Sequence, residues 1–112
     1  MSQKTKQVVL TTTTRTAGQV VASRFVNFAG KQATANEAVL GVSVYDAAAG
    51  DLLGVDVIGI TLVESGGAVT VGAKVASDAQ GCAVAGESNA AGVALSAAEG
   101  AGTLIRVLLM KG

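Results

Sequence analysis

The chain has 112 residues, half of them hydrophobic and only 3% aromatic, with fifteen glycines, one cysteine, no histidine and no proline. Its formal net charge of zero conceals a division: Lys4, Lys6, Arg15, Arg24 and Lys31 all precede the first acid, Glu37, and from Glu37 onward all eight acids meet only Lys74, Arg106 and Lys111. This is a single-domain length with a core of small and branched side chains; the lone cysteine excludes an internal disulfide framework and implies synthesis in a reducing compartment, and without histidine the commonest general base and zinc ligand are gone.

Met1 to Lys6 is polar, and Val8 to Leu10 is too short for the apolar region of a signal peptide, so neither cleavage nor secretion is expected. Gln7 to Thr14, QVVLTTTT, is β-branched and favours an extended chain. It is either the first strand of the domain or an arm that adds to another sheet edge, since fourteen extended residues reach about 45 Å. The chain thus divides into a basic arm or first strand, 1–19, and a β-body, 20–112. Ala17-Gly18 turns into a strand from Val20 to Phe28, with Val21, Ser23, Phe25 and Asn27 on one side and Phe25 and Phe28 anchoring the core. Thr34-Ala35-Asn36-Glu37 has capping-box spacing, but Gly41 limits any helix to about one turn.

Leu40 to Tyr45 is a strand, Ala47 to Asp51 a turn, and Leu53 to Glu64 a long strand that Gly54 and Gly59 bend. Ser65-Gly66-Gly67 turns into a connection and strand from Val69 to Ala76. Asp78-Ala79-Gln80-Gly81 has the residues of a type I turn. Short strands follow at Cys82 to Ala85 and Gly92 to Ser96, and Glu99 to Gly102 turns the chain into Thr103 to Leu109. Turn signals about every ten residues point to an all-β fold, a small barrel or sandwich of short antiparallel strands. Leu52 to Val63, the longest apolar run, is broken by Asp56 and falls short of the roughly 20 residues that span a bilayer, so no membrane partner is expected.

A weak duplication organises these elements. Gly41-Val42 answers to Gly92-Val93, Val44 to Leu95, Ala47 to Ala98, Gly50 to Gly100, and Val55-Asp56-Val57 to Ile105-Arg106-Val107. Upstream, Phe25 to Gly30 answers to Val75 to Gly81. Two copies are too few for a solenoid. The alternation around Asp56 and Arg106 places charge on one sheet face and apolar groups on the other.

Sites for chemistry are missing. Cys82 has no histidine to activate it and reads as a small packed apolar residue. The stretch from Gly67 to Lys74 approaches a phosphate-binding loop but has Ala73 where lysine is required. Gly100-Ala101-Gly102 lacks the third glycine of a dinucleotide fingerprint. Asp46, Asp51 and Asp56, five residues apart, do not make a calcium loop and read as solvated. A nucleic-acid groove would need stacking aromatics on a basic body, which this chain lacks. No enzyme, metal or cofactor is expected.

The run VIGITLVESGGAVTVGAKV from Val57 to Val75, then Ser77 to Gly81, Gly92 to Leu95 and the ending Ile105 to Leu109, resembles the small capsid decoration, or cement, proteins of tailed bacteriophages, from about Val20 to the C-terminus. The resemblance implies a virion protein, made in the bacterial cytoplasm, that binds the outer surface of a head and stabilises it by bridging major capsid proteins. It also implies copies at a capsid symmetry axis, trimers first and dimers next. The candidate partner-binding residues are Lys4, Lys6, Val8, Leu10, Thr12 and Arg15: an extended segment able to add to a shell sheet, with cations that meet its acids. On this reading, removing residues 1–14 leaves a folded body that no longer binds heads, and the glycine turns at Gly50 and Gly100 form contacts between copies. The rival is a free-standing adhesion or carbohydrate-binding module, for which Tyr45 alone is a thin platform. An accessory domain of an enzyme is a third reading.

Overall fold

A computed structural model of the protein describes residues 7–109. The elements are β1 (Gln7–Arg15), β2 (Phe25–Val26), β3 (Gly41–Ser43), β4 (Leu52–Gly66), β5 (Lys74–Ser77), β6 (Ala83–Ala85), β7 (Gly92–Ala94) and β8 (Ala101–Leu109), with no helix among the described residues. The 15-residue β4 is the axis. Its first half lies between β1 and β3, and its second half pairs with β8, all antiparallel. From β8 the sheet runs through β7, β5 and β6, and one parallel step from Ala83 to Ser65 returns it to β4. The sheet thus closes into a small barrel, with β1, β2 and β3 as extra strands.

Matched hydrogen bonds show that the duplication is structural. Val20 and Ala47 exchange two backbone bonds of 2.9 Å, and Val69 and Ala98 exchange two of the same length. Buried hydroxyls pin both hairpin turns: Thr16 Oγ1 donates to Ala48 O at 2.6 Å, and Ser65 Oγ donates to Gly100 O at 2.7 Å. Asn27 Oδ1 accepts the N–H groups of Ala29 and Lys31, while Asp78 Oδ1 accepts those of Gln80 and Cys82. Those two turns close at Gly30 and Gly81, with φ of 82° and 78°, a region glycine enters without a Cβ penalty.

Register extends the repeat further upstream than the sequence pairing does. Arg15 lies opposite Leu52, and Glu64 lies opposite Leu104. So β1 corresponds to the second half of β4, and the first half of β4 corresponds to β8. Tyr45 Oη accepts the Gly54 N–H and Ser96 Oγ accepts the Arg106 N–H, which makes Val55 the counterpart of Val107, not of Ile105. Likewise Gly50 (φ 89°) matches Gly102 (φ 90°), not Gly100. A slip of two residues keeps every side chain on its face, so alternation could not reveal it.

Two cores follow from two halves. Val20, Val26, Ala47, Leu53, Val55 and Val57 fill the first; their counterparts Val69, Val75, Ala98, Ile105, Val107 and Leu109 lie in the second. Phe25, Ala33 and Val42 come from the first half but join the second cluster, so they form the seam. Phe25, Leu53 and Ile105 are completely buried, and each contributes about 1.5–3 kcal/mol of apolar transfer free energy.

Several expectations are corrected. The strand from Val20 to Phe28 shrinks to Phe25–Val26, because Ser23 turns to φ 60° and interrupts the alternation. Phe28 is 69% exposed and anchors no core. Asp56 is not solvated but buried, at 2% exposure. The turn at Ser65 starts later, because β4 runs through Gly66 to meet β8. Thr34 to Glu37 is a turn, in which Glu37 Oε1 accepts the Thr34 N–H as the capping-box spacing implies.

Candidate functional site

Gln7–Arg15 is a strand of its own body. Val8 lies opposite Gly59, Leu10 opposite Ile58, Thr12 opposite Val55 and Arg15 opposite Leu52. Register shifts flank Leu10, facing a β4 bend where Gly59 takes φ 115°. Only β4 pairs with β1 among the described residues, so its other edge carries backbone groups open to addition by another chain. Leu10 is 49% exposed, Thr12 is exposed, and Val8 is half-buried. Arg15 is exposed and donates from Nη1 to Gly50 O at 2.6 Å. Lys4 and Lys6 lie outside the described residues.

Beneath β1 sits a buried carboxylate. Thr11 Oγ1 donates to Asp56 Oδ1 at 2.9 Å and Thr61 Oγ1 donates to Oδ2 at 2.8 Å. A buried carboxyl group with fewer hydrogen-bond partners would be costly. Removing residues 1–14 would take away the Thr11 donor and the β4 partner together, so that truncation tests folding as well as binding.

The outer face of β1, β4 and β8 exposes Leu10, Ile58, Leu104 and Leu108. Arg106 lies between the two β8 leucines in sequence alternation, opposite Leu62, and its buried Nε has no acceptor. Arg24, by contrast, is paired: it reaches Glu64 Oε1 at 3.1 Å and Gln80 O at 3.0 Å, tying the first half to the second.

Four bonds stiffen the Asn27 turn. Besides accepting two N–H groups on Oδ1, Asn27 donates its own N–H to Lys31 O and its Nδ2 to Glu37 Oε2. The Thr34 backbone bond, then the Asn27 amide, hold the Glu37 carboxyl below the usual carboxylate range, with a smaller contribution from Lys31. At the matched turn, burial pushes the Cys82 thiol up, and the side chain is packed. No cluster of three metal-binding side chains forms among the described residues. Tyr45 is exposed, but its hydroxyl is engaged with Gly54.

Sequence reasoning missed the Phe28 tip and the Leu104–Leu108 face, because an apolar residue in a short alternating run reads as core. The signal for Phe28 was the Asn27-to-Gly30 turn spacing, whose match at Asp78-to-Gly81 was legible.

No curated protein matches the sequence. Among solved structures the chain is similar to the head fiber gp8.5 N base of bacteriophage phi29, at 24% identity and a TM-score of 0.75, over 90% of this chain and 93% of that one. That likeness is one of fold. The sequence also matches the phage cement protein family over residues 3–109, nearly its whole length and both halves of the duplicated sheet, and the chain belongs to that family.

Proposed function

We propose that this phage-head structural protein binds the outer surface of the assembled head and stabilises it by bridging neighbouring major capsid proteins, without catalysis. Family membership over residues 3–109 carries the reading. The free edge of β1 supports it, because backbone groups on an edge strand can extend a sheet of the shell, with Arg15 supplying a cation at the end of that strand and Lys4 and Lys6 preceding it in the sequence. Leu10, Thr12 and Val8 are the side chains such a contact would engage. Self-association, as trimers or secondarily dimers, uses the apolar outer face with Leu104 and Leu108. Several weak contacts engaged together then hold more tightly than any one alone.

The test is co-sedimentation of the purified protein with undecorated heads, comparing expanded with unexpanded shells. Saturable binding to expanded shells, weakened in a Lys4→Glu/Lys6→Glu variant, is the expected result. Failure to bind any matched shell removes the reading.

A further inference from the structure

The two halves of the chain carry the same turn, exposed at its tip in both, but with different residues there. In the second half, the Asp78–Cys82 turn is docked on the first half: Gly81 O accepts the Phe25 N–H at 2.8 Å and Gln80 O accepts Arg24 Nη1 at 3.0 Å. Its tip residue is Ala79. In the first half, the Asn27–Lys31 turn docks on the chain just past Arg15, where Gly30 O accepts the Ala17 N–H, and its tip residue is Phe28, 69% exposed. A phenylalanine held out to water on a stiffened turn costs free energy that a bound partner would recover. From this geometry we infer that Phe28 is the apolar anchor of a protein-binding surface, and that its occupant is an apolar pocket rimmed by carboxylates on the head shell.

Charge sets the chemistry of that occupant. The Ala17 N–H donates to Gly30 O at 3.1 Å, which seats the turn against the chain just past Arg15. Lys31 ends the turn and the Arg15 backbone lies against Gly30; both side chains are exposed, and neither makes an ion pair among the described residues, Arg15 being hydrogen-bonded to Gly50 O. The nearby Glu37 is already engaged by Asn27 and Thr34. A second copy is a poor occupant in the docking mode used within the chain. Register gives Phe25 and Lys74 the same place, opposite Val42 and Val93, so an incoming Asn27 turn would meet Lys74, an exposed cation, where the Asp78 turn meets Phe25. Like charges at such a contact are unfavourable.

This inference rests on the shell-binding reading above, and its test separates the two. Wild-type protein, Phe28→Ala and Phe28→Leu are titrated onto expanded heads and pelleted, with Tm and sedimentation velocity measured on each protein alone. The expected result is binding weakened about tenfold or more by Phe28→Ala, in the range of an interface anchor, with partial recovery in Phe28→Leu and an unchanged Tm. Raised salt should weaken the wild type, and less so Lys31→Ala. If wild type saturates heads and Phe28→Ala binds as tightly, the anchor is refuted and the shell-binding reading stands. If wild type binds no head, both fall. If Phe28→Ala breaks up oligomers while head binding is intact, the turn is a contact between copies and the assignment to the shell is overturned.

Discussion

Asp56 and Glu37 are carboxylates that the sequence presents alike and the fold treats differently. Asp56 is sealed under β1 by two threonine hydroxyls, whereas Glu37 sits at the surface and braces the Asn27 turn. The pH behaviour of Glu37 follows from its bonds. Its folded pKa lies below its unfolded one. It therefore adds stability that is complete above the unfolded value and lost as pH falls through the folded one. Glu37→Gln should lower the Tm at pH 7, and the gap to wild type should close below about pH 4, where free glutamates protonate. Thermal unfolding of both proteins across that range checks it; a gap that persists unchanged in acid would mean the carboxylate charge is irrelevant to the turn.

At the scale of elements, the hairpins β3–β4 and β7–β8 each depend on a glycine at one place. A Cβ on Gly41 would run into the Asp56 carbonyl and the Val55 side chain, and one on Gly92 into the Leu108 carbonyl and the Val107 side chain. Backbone on both sides leaves little room to yield. Gly41→Ala and Gly92→Ala should each destabilise the protein by about 1–3 kcal/mol or more, the usual range for overpacking, as read from urea midpoints. A neutral result at either site would show that its strand pair can separate freely. The glycine turns first read as copy contacts divide on the same grounds. Gly50 needs its positive φ, so Gly50→Arg would disturb the turn itself, while Gly100 has open space and an ordinary φ. Gly100 is the cleaner position at which to probe association.

Over the whole molecule, β4 makes the two halves inseparable. Its first half closes one core and its second half the other, and Phe25 crosses the seam. Neither half has a complete sheet without the shared strand, so unfolding should be a single transition. Tyr45, the sole tyrosine, reports on the first half, and far-ultraviolet circular dichroism reports on both. Coincident urea curves from the two probes are expected; an earlier fluorescence midpoint would reveal halves that melt independently.

Composition, glycine spacing and alternation determined the all-β class, the turns at Asp78 and Asp51, the packed Cys82, the bend near Gly59 and the existence of two related units. These are local or periodic features, and local chemistry specifies them: a β-branched run extends, and Asn or Asp followed by glycine turns. The family was legible too, through the order of these elements. Tertiary structure alone decided which strands meet. Pairing β1 with β4 depends on contacts some forty-five residues apart, between Thr11 and Asp56, and a pattern of period two cannot distinguish registers that differ by two. The same nonlocal pairing buried Asp56, while Phe28 stands exposed at the tip of a turn whose equivalent in the second half carries the small Ala79. Periodicity tells which way a side chain points along its own strand, and the sheet and its neighbours decide whether anything covers it there.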